Sequence, residues 1–302
     1  MAAMRYIPAL SDRHTSAVLA VLTASASFAA VMALIRVVAS EVPPLEQVLF
    51  RNLIGAAITL PWVLRNGVHG LRTSNHKFYF GRACLGFLAM VLWFLAVAHL
   101  PLNESAALSF TSPLFATIAA IAFLGESVGP VRWACTIVGF LGAMVVLRPG
   151  IHAVHWPQLA IILWAALAGG NTTVVKHLTR FESPTAIVTY MALYMIPFSI
   201  LVALPVWVTP PVHAWPGIFG IAALSTLANL AVTRAFALWD ASAVTSIDFI
   251  RLPIAAGLAW FIFGEAPDLW AWLGGGMIVC ATAFSARYSA QARLEATAGH
   301  DA

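Results

Sequence analysis

Asp248 and Arg251 stand three positions apart in the stretch TSIDFIRLPIAAGLAWFIFGE, in front of a run from Leu252 to Gly264 that carries no charge. Positions i and i+3 of a helix share a face, so this carboxylate and this guanidinium can bond each other. The pair is nearly neutral as a unit, whereas a lone charge at the centre of a membrane span costs about 2.5–3.5 kcal/mol. Arg234 is expected at a similar depth in the preceding apolar stretch, which sets one carboxylate between two guanidiniums. Two readings follow: a clamp that packs two helices, or a surplus cation that receives an anionic group of a ligand. Arg51 lies seven residues into another apolar stretch, roughly 10 Å along a helix. It can cap carbonyls, join a structural ion pair or anchor a ligand. Asn171, after AGG, and Asn229 are polar residues in apolar runs, and either bond across helices or face a cavity. Trp93, Trp164 and Trp260 lie far from the ends of their runs, and Trp93 is the best placed of the three to stack on a flat ligand. The candidate binding residues are therefore Arg51, Trp93, Asn171, Asn229, Arg234, Asp248 and Arg251.

Other polar residues have simpler readings. Ser109, Thr111 and Ser112 precede Pro113, where hydroxyls can satisfy carbonyls freed by a proline kink. Arg36 and Lys176 sit near span ends, where long side chains reach the headgroups, and Glu46 can pair with Arg36 across a short loop. Glu126 and Glu265 are expected to cap turns and bond nearby loop amides. Gly139, Gly142 and Gly274 to Gly276 suit close helix contact. Cys84, Cys135 and Cys280 occur singly without metal or redox spacing. The histidines fall mostly in loops and tails, and neither HExxH nor GxSxG occurs. No catalytic residue, metal site or cofactor is expected. A membrane-embedded enzyme is the rival class, and it would need a clustered base, nucleophile or metal.

The elements that position these side chains follow from composition. Hydrophobic residues make up 61% of the 302 and charged residues 9%, with a mean hydropathy of +0.88. Soluble domains carry about 25% charged residues, so this chain is a membrane protein whose first partner is the lipid bilayer. A net charge of +4 without a basic patch excludes nucleic acid as a partner. A spanning helix needs about 20 mostly apolar residues. Ten such spans are expected, at 17–39, 44–64, 80–100, 104–124, 131–148, 157–177, 184–206, 214–237, 243–263 and 269–287. Segment 1–16 precedes them, and the tail 288–302 is expected to be loose. Alternate connectors hold nearly all the Arg and Lys, and the positive-inside rule then places both termini in the cytoplasm, in a bacterial inner membrane.

The chain also contains a second copy of itself. Arg36 and Lys176, like Pro44 and Pro184, lie 140 residues apart; Glu126 and Glu265, Trp133 and Trp272, and Arg148 and Arg287 lie 139 apart. Each copy, 17–148 and 157–287, holds five spans. An odd number sends the second copy into the membrane from the opposite side. The fold class is thus all-α, ten transmembrane helices as two inverted five-helix repeats, a plan used by secondary transporters with a site between the halves.

Each half has a Pro-led second span (PPLEQVLFRN in the first), a fourth ending in Gly-Glu (SPLFATIAAIAFLGE) and a Gly-containing fifth. In these features residues 15 to 287 resemble the EamA-type branch of the drug/metabolite transporter superfamily. The second copy, RLPIAAGLAWFIFGE, sets proline twelve residues before the glutamate where the first has thirteen. The resemblance implies a secondary transporter of a small polar metabolite, of the S-adenosylmethionine-like, nucleoside-like or vitamin-like kind. Export of amino-acid-like metabolites is the alternative. The arginine surplus points to a cargo with an anionic group, and the absence of GxxxxGK[ST] argues against direct ATP coupling.

Overall fold

A computed structural model describes residues 10–66, 76–112, 114–115, 118, 130–147, 155–179, 182–238, 244, 247–248, 250–266 and 268–298. Pro113 and Glu126, and the side chain of Lys176, lie outside the described residues. Among those described there are ten α-helices: α1 (Leu10–Val38), α2 (Pro44–Asn66), α3 (His76–His99), α4 (Leu102–Ser109), α5 (Pro130–Leu147), α6 (Trp156–Leu178), α7 (Pro184–Ala203), α8 (Trp215–Leu238), α9 (Arg251–Phe263) and α10 (Leu269–Ala298). Four stretches, Thr15–Val38, Tyr79–His99, Pro184–Val206 and Val212–Leu238, are long and apolar enough to cross a membrane.

Local signals explain the helix limits. Ser183 caps α7 by accepting the Ala186 N–H at 3.2 Å, with Pro184 opening the helix. Gly264 ends α9 with φ 66°, a conformation that costs glycine little. That turn lets the Glu265 N–H reach back to the Ala259 carbonyl at 3.1 Å and directs Glu265 toward α1. The tail expected to be loose after Arg287 is instead helical as far as Ala298. Its sequence, ARYSAQARLEATA, is rich in strong helix formers and holds neither glycine nor proline.

The main packing contacts pair α1 with α8, α3 with α6, α2 with α7 and α5 with α10. One buried core runs through all of them, with Met32, Phe94, Phe110, Ile161, Met195 and Ile278 among its members. Leu85, Leu141, Leu163, Leu201, Phe219 and Phe261 are exposed around the outside. Such a surface suits lipid rather than water. Gly142 and Gly274 allow α5 and α10 to touch backbone to backbone: a Cβ on Gly274 would fall 2.4 Å from the Gly142 carbonyl oxygen.

A band of polar contacts ties many helix ends together on one side of the bundle. Arg36 at the end of α1 pairs with Glu265 beyond α9 at 2.5 Å, and its guanidinium lies 4.5 Å over the Phe263 ring. Glu265 also accepts the Leu102 N–H at the start of α4. Gln158 on α6 donates to Glu104 on α4, His213 before α8 meets Glu41, and the Val208 N–H beyond α7 donates to Glu46 on α2. The expected pairing of Glu46 with Arg36 is therefore replaced. Glu46 is fully buried against Val208, and Arg36 finds a carboxylate just beyond the end of α9, a helix that packs laterally against α1.

Candidate functional site

Below that band the helices enclose a cavity of about 290 Å³, reaching from Val31 and Trp164 in mid-bundle toward Val21, Val175 and Val244. Six of the seven expected side chains line it: Arg51, Trp93, Asn171, Asn229, Asp248 and Arg251. The seventh, Arg234, is exposed and does not line it. The cavity face of α8 is Ser225, Asn229, Val232, Thr233 and Phe236. A helix turns about 100° per residue, so the residue after Thr233 leaves that face.

Asp248 and Arg251 are bonded as their spacing predicts, Arg251 Nη2 to Asp248 Oδ2 at 2.8 Å. Ser25 on α1 donates to the other oxygen, Oδ1, at 2.7 Å. Arg251 is buried, with its guanidinium carbon 4.8 Å from the Phe110 ring centre and 5.6 Å from that of Phe28. Both rings offer the negative face of their π system to the cation. Its Nε has no hydrogen-bond partner among the described residues.

The cavity lining also carries Arg51 on α2 and Arg82 on α3. Arg51 Nη1 donates to Asn52 Oδ1 at 2.7 Å, and Asn52 Nδ2 donates to Ser199 Oγ on α7 at 2.7 Å. Arg82 Nε donates to Asn171 Oδ1 on α6 at 3.0 Å. Arg82, two positions inside the expected span 80–100, is absent from the seven expected residues. An arginine at the mouth of an apolar run with an asparagine in reach on a facing helix is the signal that marks it.

Trp93 meets Trp164 with ring centres 4.3 Å apart and planes inclined at 41°, giving the cavity an aromatic wall. Asn229 Nδ2 donates to the Ser225 carbonyl of its own helix at 2.7 Å. Ser109 and Thr111 likewise return their hydroxyls to carbonyls of the preceding turn, Ala106 and Leu108, both at 2.7 Å. Trp260 is exposed and takes no part in the site. No group of three or more metal-binding side chains occurs among the described residues. The site is a mostly apolar, aromatic-walled compartment set with a few charged and amide groups, and it can hold and orient a flat molecule.

The sequence pattern of the EamA-like transporter family matches residues 15–148 and again 155–287. The chain belongs to this family; it is a membrane transporter and not an enzyme. It is 33% identical to a riboflavin transporter of Vibrio cholerae over 87% of this chain and 90% of that one. An S-adenosylmethionine uptake transporter of Rickettsia bellii is 31% identical over 79% and 82% of the two chains. A pseudopaline exporter of Pseudomonas aeruginosa is 28% identical over 89% and 95%. A protein known from a crystal structure shares the fold, with a TM-score of 0.64 at 18% identity over 90% of this chain and 96% of the other.

Proposed function

We propose that this protein is a secondary transporter that carries a flat, polar heteroaromatic metabolite bearing an anionic or strongly hydrogen-bond-accepting group. It works by alternating access between two inverted five-helix repeats, 17–148 and 157–287. Segments 1–16 and 288–302 face the cytoplasm of a bacterial cell. The observation that carries the reading is one cavity lined both by the Trp93–Trp164 pair and by guanidiniums bonded to asparagines. The tryptophans take the ring system and the arginines take its polar substituents. The riboflavin and S-adenosylmethionine relatives support a cargo of this shape. The packing supports the inverted repeat: exchanging the two sets of five helices turns the α1–α8 contact into α6–α3 and maps α2–α7 and α5–α10 onto themselves. The same symmetry gives the two halves equivalent surfaces to rock against, as alternating access requires.

Uptake into proteoliposomes tests this, with labelled riboflavin and S-adenosylmethionine as probes and Trp93 variants as the structural control. Aromatic stacking on a heterocycle is worth about 1–3 kcal/mol, so Trp93→Ala is expected to weaken uptake about 10- to 100-fold. Trp93→Phe is expected to keep most of it. Failure to transport either probe, or an unchanged Trp93→Ala variant, would contradict the assignment. Export is the second reading, favoured by the pseudopaline exporter among the relatives, and the same vesicles loaded from inside measure it.

A further inference from the structure

The arginines that line the cavity are unequally compensated. Asp248 neutralises Arg251, the first residue of α9, and its two oxygens accept from Arg251 and Ser25. On α2 and α3, Arg51 and Arg82 have only neutral partners: the Asn52 and Asn171 amide oxygens and the sulfurs of Met90 and Met191. Among the described residues no carboxylate lies within ion-pair distance of either. Arg51, Arg82 and Met191 all line the cavity, with Arg82 Nη2 3.9 Å from the Met191 sulfur and Arg51 Nη1 3.5 Å from that of Met90.

Resting on the alternating-access reading above, we propose that this arginine pair makes the transporter an anion exchanger. The cavity passes readily between its two openings only with a carboxylate or phosphate anion against Arg51 and Arg82, and the return stroke carries a second such anion. Alternating access requires a moment when both ends are closed and most of the water has left. Two guanidiniums without a counter-charge are then costly to strip of water. The amide oxygens of Asn52 and Asn171 orient the guanidiniums without cancelling their charge. Asp248 leaves no surplus negative charge for them, because its single charge is matched by Arg251. A carboxylate or phosphomonoester on the cargo supplies it, and guanidinium geometry suits both. The empty return is therefore the slow step, and an anion on the far side removes it.

The test uses the full chain in proteoliposomes with the membrane potential clamped. Labelled riboflavin 5′-phosphate is supplied outside, and the vesicles contain either chloride as the sole anion or unlabelled riboflavin 5′-phosphate. The expected result is an initial uptake rate at least about tenfold higher with the organic anion inside, the factor that 1.4 kcal/mol of barrier represents. In Arg51→Gln/Arg82→Gln the ratio between the two vesicle populations is expected to fall to near one, whatever the absolute rate. The single variants serve if thermal melting shows the double variant unfolded. Equal rates in the wild type, or uptake of riboflavin without its 5′-phosphate, overturn the exchange and leave the transport reading intact. Trans-stimulation that persists in a folded double variant overturns the role of the two arginines. No protein-dependent uptake of riboflavin, its 5′-phosphate or S-adenosylmethionine overturns both readings.

Discussion

Asp248 has one neighbour for each carboxylate oxygen, Arg251 on its own helix side and Ser25 on α1. Arg251 depends on that arrangement more than Asp248 does. It is buried, its Nε has no partner among the described residues, and the Phe28 and Phe110 rings offer only a weak electrostatic substitute for a carboxylate. Removing one member of a buried pair leaves the other uncompensated, at a typical cost of about 3–5 kcal/mol. Asp248→Asn is thus expected to lower the unfolding temperature more than Asp248→Asn combined with Arg251→Gln. Thermal melting of the purified variants in one detergent measures the cycle. Simple additivity of the single changes would mean that the two residues are not coupled.

Helices in lipid gain little from hydrophobic burial against one another, so close packing of small residues carries much of their association. The α5–α10 contact depends on this at Gly142 and Gly274. A Cβ on Gly142 would lie 2.7 Å from the Gly274 carbonyl oxygen, and one on Gly274 would meet the Gly142 oxygen at 2.4 Å. Backbone oxygens cannot swing aside as a side chain can. Gly142→Ala and Gly274→Ala are each expected to destabilise the protein by about 1–3 kcal/mol, as overpacking does. Gly276, two positions further on the same helix, has open space where a Cβ would stand, with nothing within 4 Å. Gly276→Ala is therefore expected to be neutral or slightly stabilising, since alanine is the better helix former by about 1 kcal/mol. Unfolding curves of the three variants side by side decide it, and equal losses for all three would place the close contact elsewhere.

For the whole molecule, the polar band sets the direction of eight helices. The C-terminal ends of α1, α3, α7 and α9 meet the N-terminal ends of α2, α4, α6 and α8 through Arg36–Glu265, Glu104–Gln158, Glu41–His213, Glu46–Val208 and the His99–Trp156 ring contact. Glu41, Glu46, Glu104 and Glu265 lie at this end, while Arg13, Arg65 and Lys77 stand at the opposite ends of α1, α2 and α3. With basic loops retained in the cytoplasm, a reporter fused at Ala302 is expected to read as cytoplasmic. One inserted in the 150–156 loop is expected on the opposite side. Both reporters on the same side would contradict the ten-span inverted-repeat topology.

Much of this architecture was legible in the chain itself. Lack of charge implied the membrane, breaker residues divided the spans, and a constant offset of 139 or 140 residues revealed the repeat. Six of the seven expected site residues line one cavity for a general reason. Charged and amide groups inside apolar helices must face something polar, and a shared compartment supplies it. Tertiary structure decided what local pattern could not. It turned Arg234 off the cavity face, brought Arg82 onto it beside Asn171, and gave Arg36 the distant Glu265 in place of nearby Glu46. Helices that are apolar all round carry little periodic signal to fix their rotation. Lateral packing among such helices sets which side chain faces which neighbour, because lipid and protein interior are nearly equivalent surroundings for an apolar face.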